Sequence, residues 1–432
     1  MPGTRPEPAV HRTVEIERRQ RSLRRRRTSL ALGALFLVAG GVAACATITH
    51  VGKRAGGSTS TSTDGPTTTT TTTNPKVPRP PASYNVGLTT FHFTDPSRDT
   101  PNPGTGALQT GRVLTTEVFY PTVKGSPDAE TANAAPASAF GPFPVIVFAH
   151  GFNTMPETYW PLLDSWVHAG FVVVAPVFPD ENAETVTLYG GPEGAGGNGE
   201  DYDETNEPGD IAYVLGAFAM EAARGSGSPL AGVADMKEVA LAGQSDGANV
   251  VAALAFGSAY EPFWRSMSPA PKAVAVLSGQ AIFDGPGNNG SNTYSSGPTS
   301  PAVLQVQSIA DSCNLGRFAA DLYSYIDAGP VHFFETLTKA GHLDPYVGVT
   351  PWSTIVENVT TTFFKVELGW RSQGLSLASV EAAGTVPGDS SMTPPDESTF
   401  LDEPATQSCT FPPGVSPTIG PPSTTAAATS GS

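Results

Sequence analysis

The sequence predicts an α/β fold, with a mostly parallel central sheet covered by helices on both faces. Between about Tyr84 and Gln373, short segments that are apolar along their whole length alternate with helical segments. Such apolar runs are typical of parallel strands that are covered on both faces. Repeated βα units build a sheet of this kind, and functional sites form beyond the carboxyl ends of its strands.

Eight strands and four helices are predicted in this region. The strands are Leu88–Phe93, Val113–Tyr120, Pro144–His150, Phe171–Ala175, Glu238–Gly243, Ala273–Leu277, Val303–Gln307 and Val331–Thr336. The helices are Trp160–Ala169, Asp210–Arg224, Ala248–Phe256 and Pro351–Trp370. Pro121 is expected to end the second strand, Gly170 to follow the first helix as its C-cap, and Asp210 to act as an N-cap.

The composition of the two ends predicts that only the middle of the chain is folded. Residues 1–55 combine a basic stretch with an apolar one, and residues 56–83 are rich in Thr and Pro, with seven consecutive threonines at Thr67–Thr73. Residues 374–432 are again rich in Pro, Ser and Thr. Such segments bury too little apolar surface to fold. We therefore expect a disordered linker at 56–83, a catalytic domain at 84–373 and a mostly disordered tail at 374–432.

The charge is distributed unevenly along the chain. The net charge is −16, but residues 1–54 hold 11 of the 24 Lys and Arg and only 3 of the 40 Asp and Glu. The remainder has 13 basic and 37 acidic residues, a net charge of about −24. This acidic body argues against a nucleic-acid partner, because phosphates require basic surfaces. It is typical of a soluble protein outside the cytoplasm.

The N-terminus has the pattern of an export signal. A basic region that includes Arg24–Arg27 precedes the uncharged, apolar segment Ser29–Ala44. Three interpretations stay open: a lipoprotein signal with Cys45 lipidated, an uncleaved anchor helix over about Leu30–Val51, or an ordinary cleaved signal. All three place the body outside the cytoplasm, secreted or attached to the cell envelope and its membrane through the lipid or the anchor.

Two cysteines remain if Cys45 carries a lipid. Cys313 and Cys409 are then an even number in an oxidising compartment, which favours a disulfide between them. Free, reactive thiols are the alternative.

The segment Gly243-Gln244-Ser245-Asp246-Gly247 is the strongest chemical motif. It follows a predicted strand and precedes a predicted helix, the context in which G-x-S-x-G forms a nucleophile elbow. The glycines are required because side chains flanking the strained serine would collide with the neighbouring strand and helix. Ser245 is therefore the predicted nucleophile.

An elbow serine requires a base and an acid, which follow it in the chain in this fold. Only two histidines follow Ser245. His342 lies in a loop after a strand, where a general base belongs, whereas His332 lies inside the strand. Asp311 ends the preceding strand and is the predicted acid, with Asp284, one strand earlier, as the alternative.

An oxyanion hole needs two backbone N–H groups, one from the residue after the nucleophile and one from a loop after an early strand. Asp246 and Phe152 are the predicted donors, and Gly151 allows close approach of the backbone. His150 precedes the serine and is interpreted as structural. The carboxylate of Asp246 beside the nucleophile is expected to repel anionic substrates.

Two further features lie near these residues. The acidic, Gly-rich insertion Asp180–Asp210 is expected to form a solvated rim or flap. A Ca²⁺ site is the alternative, but the acidic residues of the insertion show no ordered ligand spacing. Phe152, Tyr159, Trp160 and Phe178 are candidate walls for an acyl chain, with core packing as the alternative. No metal and no cofactor are expected.

These motifs resemble those of α/β-hydrolase esterases, a group that includes platelet-activating-factor acetylhydrolases, chlorophyllases, dienelactone-hydrolase-like proteins and cutinase-type polyester hydrolases. The resemblance covers roughly residues 84–370 and rests on Phe91–Tyr120, His150–Phe152, the elbow, Asp311 and Gly341-His342. It implies acyl transfer through a covalent acyl-enzyme. True dienelactone hydrolases have a cysteine nucleophile, so their substrate is disfavoured here.

The sequence thus predicts a lipase-like serine esterase, a monomer that acts on small-molecule, lipid or polymeric esters. Two alternatives stay open: a peptidase or amidase with the same three residues, and a non-catalytic surface-displayed binding protein on this fold. Dehalogenases are excluded, because they have an aspartate at the elbow where this chain has Ser245.

Overall fold

Ten strands form one mixed sheet in the computed structural model, which describes residues 79–102, 107–127, 129–189, 203–393, 395 and 399–400. The strands of this sheet are β1 (Asn85–Asp95), β4 (Arg112–Thr122), β5 (Thr131–Ala132), β6 (Phe143–Ala149), β7 (Val172–Pro176), β8 (Ala234–Gln244), β9 (Ala273–Leu277), β10 (Ala302–Ser308), β11 (His332–Leu337) and β12 (Ser390–Met392). A separate two-stranded ribbon joins β2 (Thr100–Pro101) to β3 (Leu108–Gln109).

The spatial order of the sheet is β12-β11-β10-β9-β8-β6-β7-β4-β1-β5. The six central strands, from β11 to β7 in this order, run parallel. β4 is antiparallel to both β7 and β1, and β12 is antiparallel to β11. The predicted mostly parallel sheet is therefore confirmed, with antiparallel pairings on both sides of the six parallel strands and with β5 parallel to β1 at one edge.

Eight helices in the described residues accompany the sheet. They are α1 (Trp160–His168), α2 (Ala183–Tyr189), α3 (Glu207–Ala222), α4 (Asp246–Phe256), α5 (Glu261–Ser266), α6 (Gly316–Tyr325), α7 (Pro351–Glu367) and α8 (Leu377–Gly384). None of the helices in the described part of the chain is long and apolar enough to cross a membrane.

Side chains along each strand point alternately to the two faces of the sheet, so the apolar core has two parts, one on each face. In β6, Val145 and Val147 pack with α3 and α4, whereas Ile146 and Phe148 pack with α1 and α7. Successive strand residues point to opposite faces, so a strand that is apolar throughout must be covered on both. This double covering buries every residue of β6 and β7 and leaves only the strand ends open to the site.

Three predicted boundaries were wrong. α3 begins at Glu207 rather than after Asp210, which lies buried in its first turn. Pro121 lies within β4; the pairing of β4 with β7 covers only residues 116–119, so no ladder bond to β7 is lost at the proline. The folded region also extends past residue 373, because β12 adds an edge strand to the sheet and Val380 of α8 is buried.

The predictions for the export signal, for nearly all of the linker and for residues 401–432 lie outside the described residues.

Four carboxyl groups gather beside β4 on the face covered by α1. They belong to Glu117 of β4, Glu130 before β5, Glu157 of the short 3-10 helix at 156–159, and Asp164 of α1. Burial raises the pKa of Glu117 to about 9, with Glu157 and Glu130 adding to the effect. Burial likewise raises the pKa of Asp164 to about 8 and that of Glu130 to about 7.

These raised values predict that the protein loses stability as the pH rises. The unfolded pKa values are near 4, so the native state binds more protons above that pH, and the stabilisation is lost as the pH rises through the folded values, to about 9. We expect the thermal midpoint to fall by about 4 °C or more between pH 5 and pH 9. Circular dichroism would show a flatter dependence for Glu117→Gln and an unchanged one for Glu261→Gln, an exposed control. An equally steep fall in Glu117→Gln would contradict the assignment.

Candidate active site

Ser245 occupies a strained turn between β8 and α4. Its φ is +57° and its ψ is −124°, a conformation that non-glycine residues rarely adopt. The turn is held by the Ser245 N–H, which donates to the Leu277 carbonyl at 3.0 Å. A Cβ on Gly247 would lie 2.1 Å from the Ala149 carbonyl oxygen, and one on Gly243 would lie 2.1 Å from that of Gly247. The predicted collisions are thus with backbone atoms, which cannot move aside.

Three side chains meet at the carboxyl edge of the parallel strands. His342 follows β11 and Asp311 follows β10. The Ser245 Oγ lies 2.9 Å from the His342 Nε2. The His342 Nδ1 lies 2.8 Å from the Asp311 Oδ2. With the Nδ1 proton donated to the carboxylate, Nε2 is left as the acceptor for the serine proton.

Asp311 is held in place from several sides. Its Oδ1 accepts the backbone N–H groups of Cys313 at 2.9 Å and Asn314 at 3.0 Å. Its Oδ2 also accepts from the Gln307 Nε2 at 3.3 Å. The residue is 1% exposed, so a charge here depends on these donors and on His342. They fix the carboxylate in the orientation that its contact with the imidazole requires.

The two alternative residues lie elsewhere. The His332 Nε2 lies 2.8 Å from the Gln305 Oε1, and its ring lies 3.9 Å from that of Tyr323. Burial lowers the pKa of His332 to about 4, so it is neutral under ordinary conditions. Asp284 is exposed in the loop after β9, where its backbone carbonyl accepts from the Tyr260 hydroxyl.

The loop after β6 brings Phe152 to the same edge. Among the described residues, no backbone carbonyl accepts the N–H of Phe152. A Cβ on Gly151 would lie 2.9 Å from the Ser245 Cβ, so only glycine allows the loop to approach the serine this closely. Asp246 follows Ser245 directly and is the first residue of α4. The two predicted oxyanion donors therefore flank Ser245.

Two of the four predicted wall residues are in the core instead. Tyr159 and Phe178 are 0% exposed, so neither offers surface to a substrate. The Phe178 ring packs 4.8 Å from that of His150, and the Tyr159 ring packs 4.9 Å from that of Phe148. Phe152 and Trp160 are partly exposed and stay candidates. Aromatic residues in a loop sequence do not reveal which of them the sheet covers.

The described part of the acidic insertion is anchored beside the nucleophile helix. Arg112 of β4 is 1% exposed and makes ion pairs with Asp203 and Asp210. Burial alone would lower the pKa of Arg112, but the two carboxylates outweigh it and raise the pKa above its ordinary value. The neighbouring Glu204 accepts from the Asn249 Nδ2 of α4 at 2.7 Å. Residues 203–210, which end in the first turn of α3 and are named the rim below, are thus held in place and are not a solvated loop.

The predictions about a metal site and about a disulfide can be compared with the structure only for the described residues. Within the described residues, no group of three or more His, Cys, Asp or Glu side chains could hold a metal ion. Cys313 is disulfide-bonded, so the free-thiol alternative does not hold for it. The other two cysteines, Cys45 and Cys409, lie outside the described residues, and the pairing with Cys409 stays a prediction.

Several contributors to the site were not identified from the sequence. Gln307 and Asn314 orient the acid. Asn249 joins the elbow helix to the rim through Glu204, and its Oδ1 also accepts the Gln280 N–H from the loop after β9 at 2.6 Å. Gln244, inside the elbow motif itself, lies against His342. Its position in the motif was the one signal that could have identified it.

The sheet order and the elbow together define an α/β-hydrolase fold. No protein-family model and no curated protein matches the sequence. Among solved structures, the chain is similar to a ferulic acid esterase from Streptomyces cinnamoneus, with 16% sequence identity and a TM-score of 0.44. The match covers 67% of this chain and 92% of that one.

Proposed function

We propose that the protein is an exported serine hydrolase that cleaves carboxylic esters through a covalent acyl-enzyme. The observation that carries the proposal is the continuous hydrogen-bonded chain from Ser245 through His342 to Asp311, at an elbow with positive φ. A serine hydroxyl is a weak nucleophile until an adjacent base can take its proton, and this arrangement supplies the base and its orienting acid.

The reaction would proceed in two halves. The His342 Nε2 takes the Ser245 proton while Oγ attacks the ester carbonyl, and the Phe152 and Asp246 N–H groups receive the negative charge that develops on the carbonyl oxygen. His342 then protonates the leaving alkoxide, and the alcohol departs. In the second half His342 takes a proton from water, which attacks the acyl-enzyme and releases the acid. Asp311 stabilises the imidazolium in both halves.

Lipid, small acyl and polymeric esters are the substrate classes that we propose. The partly exposed Phe152 follows Gly151, which packs against Ser245, and supplies apolar surface there; Trp160 is also partly exposed and stays a candidate wall. The Asp246 carboxylate beside the nucleophile opposes an anionic substrate. The proposal of export rests on the basic and apolar N-terminal pattern, with attachment to the cell envelope through Cys45 lipidation or an anchor helix.

A matched set of substrates tests the reaction class. We expect the full chain to hydrolyse p-nitrophenyl butyrate at least about 100-fold faster than the corresponding butyryl p-nitroanilide, because p-nitrophenolate is a better leaving group than the anilide nitrogen. Acetyl, long-chain and polymeric esters would then define the acyl preference.

Membrane-impermeant esters offered to intact cells test export. A fluorophosphonate probe should modify Ser245, as located by peptide mass spectrometry. Faster anilide cleavage would favour an amidase, and a folded protein that the probe does not modify would favour a binding protein.

A further inference from the structure

We propose that Tyr159 and Gln244 are positioning residues. They hold His342 and the loop after β6 (residues 150–153, named the oxyanion loop below) at the relative positions that catalysis requires. This inference rests on the proposed ester hydrolysis. Its basis is a buried hydrogen-bonded bridge from the Gly151 backbone through the Tyr159 hydroxyl and the Gln244 amide to His342, named below as the Tyr159–Gln244 bridge. The Tyr159 side chain does not touch the reacting atoms in the mechanism above, and the Gln244 side chain contacts one of them, the His342 Nε2, as part of this bridge.

On the oxyanion side, the bridge holds the peptide between His150 and Gly151, and the Tyr159 hydroxyl also lies 3.2 Å from the Thr154 Oγ1, which holds the following peptide. The Gly151 N–H donates to the Tyr159 hydroxyl at 3.2 Å. The Gly151 carbonyl accepts from the Thr154 Oγ1 at 2.5 Å and lies 2.9 Å from the His150 Nδ1. A trans peptide is planar, so its carbonyl and the following N–H point in opposite directions. Holding the Gly151 carbonyl therefore aims the Phe152 N–H away from these partners.

The histidine on this side is in one defined protonation state. The His150 Nε2 accepts the Phe178 N–H at 3.0 Å, so the Nδ1 carries the proton and donates to Gly151. Burial lowers the pKa of His150 to about 4, which keeps the ring neutral at neutral pH. The Nδ1 proton that His150 donates to the Gly151 carbonyl is therefore present at neutral pH.

On the histidine side, the Gln244 side-chain amide contacts both the Tyr159 hydroxyl and His342. The Gln244 Oε1 accepts from the Tyr159 hydroxyl at 2.7 Å. Its Nε2 lies 3.4 Å from both the His342 Nε2 and the His342 carbonyl oxygen. Gln244 directly precedes Ser245, so the elbow holds its backbone. The Gln244 side chain therefore links His342 and the oxyanion loop to the elbow that carries the nucleophile.

Burial makes this bridge rigid. Tyr159 and Gln244 are both 0% exposed, so water does not compete for their hydrogen bonds. Burial also raises the pKa of Tyr159 to about 12, so the hydroxyl keeps the proton that it donates. Misplacing catalytic groups by about 1 Å can cost about 100-fold in rate, and the bridge opposes such a displacement.

Tyr159→Phe removes the bridging hydroxyl and leaves the ring in place. We expect kcat for p-nitrophenyl butyrate to fall about 10-fold to 100-fold while KM stays within about twofold, because loop alignment matters most in the transition state. The rate of fluorophosphonate labelling should fall in parallel, since the phosphonyl oxygen occupies the oxyanion position. Tyr346→Phe is the matched control: it removes an equally buried hydroxyl, which lies 3.0 Å from the Ser278 Oγ, and should keep kcat within about threefold.

A double-mutant cycle separates positioning from simple stabilisation. Gln244→Met breaks the bridge at its other half, so Tyr159→Phe/Gln244→Met should be little slower than the slower single variant. Additive effects on kcat, or a Tyr159→Phe variant that loses thermal stability but keeps the wild-type kcat, would overturn the proposal. A wild-type protein without esterase activity would contradict the proposed function as well, whereas an active wild type with an unaffected Tyr159→Phe contradicts the bridge alone.

Discussion

Ser245→Ala is expected to lower kcat for p-nitrophenyl esters by about 10⁵-fold to 10⁶-fold. The substitution removes the only atom that forms the acyl-enzyme bond, while His342, Asp311 and the oxyanion donors stay in place. A residual rate above that in water should persist, because the oxyanion hole and substrate binding still act without the nucleophile. Initial rates at saturating ester, with the fluorophosphonate probe as a second readout, measure the loss.

The control for this variant is the same substitution at another strained serine. Ser278 also has positive φ, at +55°, and is 1% exposed, but its hydroxyl faces Tyr346. Ser278→Ala should therefore retain kcat within about threefold, and both variants should unfold cooperatively. A Ser245→Ala protein that keeps more than a tenth of the wild-type rate would remove Ser245 from the mechanism and with it the proposed acyl-enzyme.

The residues that meet at the site could be predicted because their signals are local. The elbow motif sits between a strand and a helix, and Asp311 and His342 each follow a strand of recognisable apolar pattern. Parallel strands bring such positions to one edge of the sheet, so knowing the strand ends was enough to place these residues together. The roles proposed for them come from chemistry and are tested only by the variants above.

The errors arose where a distant partner decides the outcome. Asp210 has the local signature of an N-cap, but its partner Arg112 lies 98 residues earlier, and the ion pair draws it inside the helix. Tyr159 could be a substrate wall or a core residue on its local pattern alone. Its hydroxyl is buried against Gln244, 85 residues away, and this partner makes it a core residue. The segment of α8 and β12 was missed because its composition resembles a linker, whereas its order comes from packing on α7 and β11.

Arg112→Met is expected to cost about 3–5 kcal/mol in the free energy of unfolding. The guanidinium donates to both carboxylate oxygens of Asp210 at 2.7 Å and also pairs with Asp203, and both aspartates have side chains that are 0% exposed. Without Arg112, Asp203 loses its ion-pair partner, while Asp210 keeps only Arg98, 2.7 Å away. A buried carboxylate without a counter-charge must be hydrated or take up a proton, and either outcome favours the unfolded chain. Chemical denaturation at pH 7 measures the loss.

The matched variants identify charge burial as the cause. Arg265→Met breaks an exposed ion pair with Glu261 and should change stability by less than about 0.5 kcal/mol. Arg112→Met/Asp203→Asn/Asp210→Asn removes the unpaired charges as well and should recover part of the loss. Because Glu204 ties the same segment to Asn249 on the nucleophile helix, esterase activity of Arg112→Met should disappear at lower denaturant than its global unfolding. An Arg112→Met protein within 1 kcal/mol of wild type would mean that water already reaches these carboxylates, and that the rim is not held by Arg112.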